Sequence, residues 1–177
     1  MHIALFGGSF NPPHLGHVLC AVYALQMGEA DQVWVLPVAK HPYGKDLLPW
    51  EQRWQLCHAA FAGIPAVHLR DDERRSTGYT VDLVEGLHVS HPLWRFSLIG
   101  GTDTVADLPR WHRGTDLARQ VGVIAVPRRG YDDHPAALPA ISSSQVRELI
   151  AAGGDWQSLV PRRVAAAIRA GGWYAAG

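Results

Sequence analysis

The sequence has few cysteines, no excess of charge and no long hydrophobic run, and each absence argues against a class of protein. The two cysteines, Cys20 and Cys57, lack CxxC spacing, which favours ordinary packing in a reducing compartment over a disulfide. Sixteen basic residues balance sixteen acidic ones, so the net charge indicates no nucleic-acid or membrane-surface partner. The sequence has no signal-peptide pattern and no apolar run of the roughly 18 residues that a membrane helix needs, so we expect a cytoplasmic protein.

Short apolar runs alternate with amphipathic stretches, a pattern typical of an α/β fold. The runs are apolar on consecutive residues, which predicts parallel strands covered on both faces. We therefore predict one domain over residues 1–177, with a doubly wound, Rossmann-like parallel sheet and helices on both faces. The predicted strands are Ile3–Gly7, Val33–Pro37, Val67–Leu69, Trp94–Gly100 and Val121–Pro127, and the predicted helices are Leu15–Met27, Pro49–Phe61, Tyr79–His88, Gln145–Ala152 and Pro161–Ala170.

Two stretches rich in proline, glycine and charge, residues 40–48 and 128–140, interrupt this alternation. Each follows the carboxyl end of a predicted strand, and ligands of open α/β sheets bind outside those ends. The two stretches are therefore either the rim of a ligand site or simple connections.

The turn after the first predicted strand, GGSFNPPHLGH at residues 7–17, has the composition of an anion-binding loop. Gly7 and Gly8 leave no side chain between the backbone and a ligand, and a helix starting near His14 offers unpaired N–H groups to an anion. His14 and His17 then lie on one helical face, with Gly16 between them. Surface histidines, a metal site and a phosphate site are three interpretations. No cluster with metal-ligand spacing accompanies the pair, which argues against a metal site. The phosphate interpretation also gives the glycines a role. The loop is a different kind of phosphate site, because the Walker and Gly-x-Gly-x-x-Gly motifs are absent.

This turn carries a family resemblance. GGSFNPPHLGH resembles the GxFxPxHxGH signature of the nucleotidyltransferase superfamily with the HxGH motif, and Phe10, Pro12, His14, Gly16 and His17 match its positions. The resemblance implies that His17 stabilises the transition state at the α-phosphate of ATP, with His14 beside it on the phosphates. The ATP contacts that it implies in the turn are Gly7, Gly8, Ser9, Phe10, His14, Gly16 and His17.

A second anion site is predicted at ISSSQVRE, residues 141–148. Ser142 can cap a helix with Gln145 as its capping-box partner. Arg147, one turn into that helix, can bind a phosphate through two N–H groups of its guanidinium. A well-capped surface helix would explain the serines but not the arginine. The stretch is similar to the family's ISSTxIR motif, so residues 141–177 are expected to complete the phosphate site. The resemblance makes Arg147 a third catalytic residue and implies ATP contacts at Ile141, Ser142, Ser143, Ser144 and Arg147.

Three further stretches resemble the bacterial nicotinate-nucleotide adenylyltransferases: STGYTVDLV at 76–84, GTDTVADLPRW at 101–111 and LVPRRVAAAIRAGGWY at 159–174. Thr80 can cap a helix beginning near Val81, where free amides favour a carboxylate and so nicotinate. Trp111 could stack on a pyridine ring or anchor a loop, and Asp103 could accept ribose hydroxyls or cap a helix. The family's PPHK-like segment is replaced by HPYGK, which leaves two lysines as candidates. The substrate residues predicted are Lys40, Lys45, Tyr79, Thr80, Asp103 and Trp111, and Gly101 and Asp103 are added to the ATP contacts.

The resemblance implies adenylyl transfer from ATP to nicotinate mononucleotide, which gives nicotinate adenine dinucleotide and pyrophosphate in NAD biosynthesis. Mg²⁺ is expected on the pyrophosphate leaving group, held by phosphates and water rather than by protein ligands. The chain could also form a homodimer. Nicotinamide-mononucleotide and pantetheine-phosphate adenylyltransferases are alternatives with the same phosphate motifs. An inactive nucleotide-binding regulator, or a metal hydrolase built around His14 and His17, is an alternative from another class.

Overall fold

A computed structural model of the chain describes residues 1–39, 44, 46–130 and 133–175, and for Asp103 and Val105 it describes the backbone only. The five strands form one parallel sheet in the order β3-β2-β1-β4-β5. The elements are β1 His2–Gly8, α1 Leu15–Gln26, β2 Gln32–Pro37, α2 Trp50–Phe61, β3 Val67–Leu69, α3 Thr80–Ser90, β4 Arg95–Gly101, α4 Thr102–Asp107, α5 Gly114–Gln120, β5 Gly122–Val126, α6 Ser143–Ala151 and α7 Arg162–Gly171, with 3₁₀ turns at Asp72–Arg75, Leu108–Arg110 and Gln157–Leu159.

The sheet is covered on both faces, which explains why its strands are apolar on consecutive residues. In β1, Ala4 and Phe6 face a core formed with α1, α2, α6 and α7, whereas Ile3 and Leu5 face a second core formed with α3 and α5. This arrangement confirms the predicted doubly wound, Rossmann-like fold. Within the described ranges, none of the helices has both the length and the apolar character needed to span a membrane.

All five predicted strands form within one residue of their predicted ends, and the five predicted helices form within two. Two short helices, α4 and α5, were not predicted. Helix α4 has six residues and α5 has seven, too few for an apolar period to repeat, and both pack beside the turn at Leu108–Arg110.

The strand order reverses between β1 and β4. The chain runs from β1 outward through β2 and β3, and then returns to the other side of β1 for β4 and β5. Such a reversal opens a crevice at the carboxyl ends of the two central strands, where ligands of open α/β sheets bind. In this protein the crevice lies beside the glycine turn that follows β1.

Candidate active site

A cavity of about 630 Å³ lies at the carboxyl ends of β1 and β4. It is lined from both sides of the sheet. The lining residues on the side of α1 and α6 are His14, His17, Cys20, Ile141, Ser142 and Ser143, together with Arg128 after β5. The lining residues on the side of α3 and α5 are Tyr79, Thr80, Leu83, Trp111 and His112. The glycines of both central strands, Gly7, Gly8, Gly100 and Gly101, form part of the wall between them. Residues as far apart in sequence as Leu5 and Ser143 therefore line one site.

The two histidines of the turn stack on each other, with ring centroids 3.7 Å apart. His14 is the N-cap residue of α1, and its backbone N–H donates to Nδ1 of His17 at 3.1 Å. A Cβ at Gly16 would lie 3.0 Å from Nδ1 of His14, so the glycine makes room for this ring. Because Nδ1 of His17 accepts a hydrogen bond, the proton of the neutral imidazole lies on Nε2. His17 is therefore set up to donate a hydrogen bond from Nε2.

Both imidazoles are neutral at physiological pH. Burial, and secondarily the charge of Arg128, lower the pKa of His14 to about 4. Burial, then His14 and Arg128, lower the pKa of His17 well below its usual range. His14 is 6% exposed, and its Nδ1 has no hydrogen-bond partner in the described part of the chain. The pair consequently offers hydrogen bonds rather than full positive charge.

The start of α6 lies against the same turn. Ser142 is the N-cap residue, as its position predicted, and its hydroxyl accepts from the N–H of Gln145 at 3.1 Å. The hydroxyl of Ser143 donates to the carbonyl of Pro12 at 2.8 Å, which joins α6 to the turn. Ile141, Ser142 and Ser143 line the cavity beside the histidines. A helix start and its unpaired amides therefore face the side of the cavity where the imidazoles lie.

Of the predicted ATP residues whose side chains the structure describes, three are not among those that line the cavity. Arg147 donates from Nη1 to the carbonyl of Asn11 at 2.7 Å and from Nη2 to the hydroxyl of Ser144 at 3.2 Å. Phe10 is 1% exposed and packs behind His17, with ring centroids 4.9 Å apart. Arg147 thus contacts the turn, Ser144 contacts Arg147, and Phe10 lies within the turn against His17. The roles of these three residues toward ATP stay predictions.

The opposite side of the cavity is aromatic. The ring of Tyr79 stacks on that of His112 at 4.1 Å, and Trp111 lines the cavity next to His112 while packing partly against the second core. The predicted capping by Thr80 is wrong. Helix α3 begins at Thr80 itself, Tyr79 is its N-cap residue, and neither the threonine nor the tyrosine makes a side-chain cap. The hydroxyl of Thr77 accepts from the N–H of Tyr79 in the turn before α3, and the helix begins one position before the predicted start near Val81.

Lys40, Lys45 and the side chain of Asp103 lie outside the described part of the structure. The backbone of Asp103 belongs to α4, whose N-cap residue is Gly101. The predicted alternative in which Asp103 caps this helix is therefore wrong, because a cap residue precedes the first helical residue. The contacts predicted for these three side chains stay predictions.

Sequence reasoning missed two charged residues that line the cavity. Arg128 lines the cavity and directly follows the last predicted strand. It begins the 128–140 stretch, which was one of two candidates for the rim of a ligand site, so its position in the sequence could have identified it. Glu73 is 8% exposed and accepts from the hydroxyl of Ser76 at 3.2 Å. Burial raises its pKa above the usual range. No local pattern marked Glu73, because the 3₁₀ turn that carries it is defined by its packing beside β2.

The described side chains form no metal cage. No group of three or more His, Cys, Asp or Glu residues among them could hold a metal ion. Glu73 is the only described carboxylate that lines the cavity, and its hydrogen bond from Ser76 ties it to its own turn. This donor set fits a magnesium ion held by phosphate oxygens and water rather than by protein carboxylates.

The fold and the cavity together define a class, the α/β proteins that bind nucleotides at a topological switch point. A family model described as cytidylyltransferase-like matches residues 5–149, which include the glycine turn, both histidines and the ISSS stretch.

Curated relatives match nearly the whole chain. A probable nicotinate-nucleotide adenylyltransferase from Anaeromyxobacter sp. (strain K) is 40% identical over 97% of this chain and 96% of its own. One from Myxococcus xanthus (strain DK1622) is 38% identical over 98% and 95%. The chain therefore belongs to the cytidylyltransferase-like family and, within it, to the nicotinate-nucleotide adenylyltransferases. The resemblance seen in the HxGH turn is confirmed.

Solved structures share the fold at lower sequence identity. The Plasmodium falciparum nicotinic acid mononucleotide adenylyltransferase complexed with NaAD has a TM-score of 0.84 and 20% identity, covering 98% of this chain and 97% of that one. The same enzyme complexed with APC has a TM-score of 0.81 and 18% identity, covering 98% and 96%. The likeness in fold extends over nearly the full length of the chains compared.

Proposed function

We propose that this protein transfers the adenylyl group of ATP to nicotinate mononucleotide and releases pyrophosphate. The observation that carries the proposal is the two-sided cavity, which has neutral imidazoles, Arg128 and a helix start on one side and aromatic rings with a second helix start on the other. Its volume of about 630 Å³ lies within the usual range of ligand sites. The names of the curated relatives support the same reaction. Both substrates are soluble nucleotides, which favours a cytoplasmic reaction.

The reaction needs little chemistry from the protein. A phosphate monoester has its second pKa near 6, so the acceptor phosphate is largely a dianion at neutral pH and requires no general base. One of its oxygens attacks the α-phosphorus of ATP and forms a new P–O bond. The bond from the α-phosphorus to the oxygen bridging to the β-phosphorus breaks, and pyrophosphate leaves with that electron pair. Catalysis then consists of positioning and charge stabilisation.

His17 is the residue that we assign to the α-phosphate. Its Nδ1 accepts from the N–H of His14, which leaves the proton of the neutral ring on Nε2 as a donor. A neutral donor in a buried site can strengthen its hydrogen bond as charge develops on the phosphate oxygen, without the cost of burying its own charge. His14 lies beside it on the same phosphates, and Arg128 supplies the positive charge that the imidazoles lack.

The triphosphate is assigned to the side of the cavity formed by the glycine turn and α6. Gly7 faces open space, with no atom within 4 Å of where its Cβ would be, so a phosphate can approach the backbone there. Ser142 and Ser143 would add the amides at the start of α6. As placed, Arg147 holds Asn11 of the turn, and we keep its phosphate contact as a proposal.

The nicotinate ring is assigned to the aromatic side. Trp111 offers a face for stacking, and the first amides of α3, at Thr80 and after it, favour a carboxylate through their unpaired N–H groups and the helix dipole. This selection comes from the backbone and does not need the threonine hydroxyl as a cap. Contacts from Asp103 to the ribose and from Lys40 or Lys45 to the mononucleotide phosphate are proposed on the resemblance alone.

Mg²⁺ is proposed on the β- and γ-phosphates. When bound, it would neutralise the charge of the pyrophosphate leaving group. No described residue is assigned to it, because Glu73, the only described carboxylate that lines the cavity, is bonded to Ser76 of its own turn.

An acceptor panel tests the proposal. Pyrophosphate release from ATP and Mg²⁺ is measured with nicotinate mononucleotide, nicotinamide mononucleotide and phosphopantetheine at equal concentrations. We expect the highest kcat/KM with nicotinate mononucleotide. Equal rates with both mononucleotides would refute carboxylate selection by α3, and a higher rate with phosphopantetheine would change the assigned acceptor. No release with any acceptor would favour a nucleotide-binding regulator.

A further inference from the structure

A buried arginine lies directly behind the glycine turn. Arg53 on α2 is 2% exposed and donates three hydrogen bonds to backbone carbonyls. Its Nη1 donates to Ser9 at 2.9 Å, its Nη2 to Val38 at 2.8 Å and its Nε to Leu48 at 2.9 Å. These carbonyls belong to the glycine turn, to the residue after β2 and to the segment before α2. One side chain therefore joins three segments that are separate in sequence.

The same segments are held together by two further bonds. The N–H of Val38 donates to the carbonyl of Gly8 at 3.0 Å, and the N–H of Leu48 donates to Oδ1 of Asn11 at 3.2 Å. That Asn11 oxygen also accepts from the hydroxyl of Tyr174 at 2.8 Å. The backbone of the turn from Gly8 to Asn11 is consequently bonded to the segments after β2 and before α2 and to Arg53 and Tyr174.

The chemistry of this contact requires an arginine. A buried charge is costly unless its donors are satisfied, and in the described ranges Arg53 makes no ion pair with a carboxylate. A planar guanidinium carries N–H donors on three nitrogen atoms that point in different directions, so it can reach three separated carbonyls. A lysine carries all its donors on a single nitrogen atom. The three carbonyls thus receive charged donors that only a guanidinium can supply together.

Arg53 is placed to act on His17 without touching a ligand. It is not among the residues that line the cavity. The turn that it holds carries Phe10, whose ring packs on that of His17 at 4.9 Å and on that of Phe61 of α2 at 6.0 Å. A shift of the Ser9 carbonyl would therefore move the surface against which the histidine rests.

We propose that Arg53 is a positioning residue for adenylyl transfer, holding the Gly8–Asn11 turn so that Phe10 and His17 keep their alignment toward the α-phosphate. The proposal rests on the proposed function for its kinetic consequence. Its structural part, that the guanidinium holds the turn, is independent of any activity.

The test compares Arg53→Met, Arg53→Lys and, as a control for lost stability, Leu117→Ala. Leu117 is fully buried on α5 and does not line the cavity. We expect Arg53→Met, assayed at a temperature where it is folded, to lower kcat about 100-fold, since small misplacements of reacting groups have effects of this size. The KM for nicotinate mononucleotide should stay nearly unchanged, because α3 and Trp111 form that side. Arg53→Lys should restore part of kcat, and Leu117→Ala should retain it.

Amide hydrogen exchange supplies the second readout. The amides of Val38 and Leu48 are bonded to the turn, so both should exchange faster in Arg53→Met than in the wild type and Leu117→Ala. A normal kcat in folded Arg53→Met, or unchanged exchange at both amides, would overturn the proposal. If the wild type releases no pyrophosphate, the proposed function fails, while exchange still decides whether Arg53 holds the turn.

Discussion

Lowering the pH from 7 to 5 should destabilise this protein through the stacked histidines of the turn. The pKa of His14 is about 4 in the folded protein, against 6.5 for an unperturbed histidine. Between these values the unfolded chain binds a proton that the folded protein excludes. Stability is therefore lost as the pH falls below 6.5, and the loss continues toward pH 4. His17, with its pKa lowered by burial, acts in the same direction.

The size of the effect follows from the pKa difference. At pH 5 nearly all unfolded molecules carry the proton on His14 and nearly all folded ones do not, which costs about 2 kcal/mol of unfolding free energy relative to pH 7. The full value applies because His14 is 6% exposed and little screened by solvent. Typical domains are stable by about 5–15 kcal/mol, so this loss is readily measured.

The assay is urea unfolding at pH 7 and pH 5, followed by the fluorescence of the seven tryptophans. The His14→Asn variant should lose about 2 kcal/mol less than the wild type between the two pH values. His68→Asn, at an exposed position on β3, is the matched control for removing a histidine. Equal losses in the wild type and His14→Asn would refute the argument that His14 is held neutral by burial.

Three further predictions concern single residues. His17→Ala should lower kcat about 100-fold or more while the unfolding midpoint stays near that of the wild type, and a nearly normal kcat would remove its role at the α-phosphate. Trp111→Ala should raise the KM for nicotinate mononucleotide about tenfold with little change in the KM for ATP, whereas an unchanged KM would assign this tryptophan to packing. In Gly114→Ala, the new Cβ would lie 2.1 Å from the carbonyl oxygen of Leu108, so we expect about 1–3 kcal/mol of destabilisation in urea unfolding, and an unchanged midpoint would contradict this contact.

Much of the fold could be predicted because its signals are local. The apolar strands, the serine cap of α6 and the pairing of His14 with His17 all depend on residues within about four positions of each other. The short helices α4 and α5 were missed because they are stabilised by packing near Leu108 rather than by a repeating apolar pattern. The cap of α3 was misplaced by one residue, because threonine is the favoured local cap signal, whereas in the structure Thr80 is the first helical residue and Tyr79 takes the N-cap position without a side-chain cap.

The sequence by itself determined the doubly wound sheet, the glycine turn and the presence of two histidines and two helix starts. The tertiary structure alone decided which side chains face the ligand and which support the turn. The guanidinium of Arg147 meets Asn11 across 136 positions, and that of Arg53 meets Ser9 across 44. Arg128 reaches the cavity while these two arginines bind backbone carbonyls. All three are the same residue type, and their different positions depend on contacts between distant segments that form only when the chain folds.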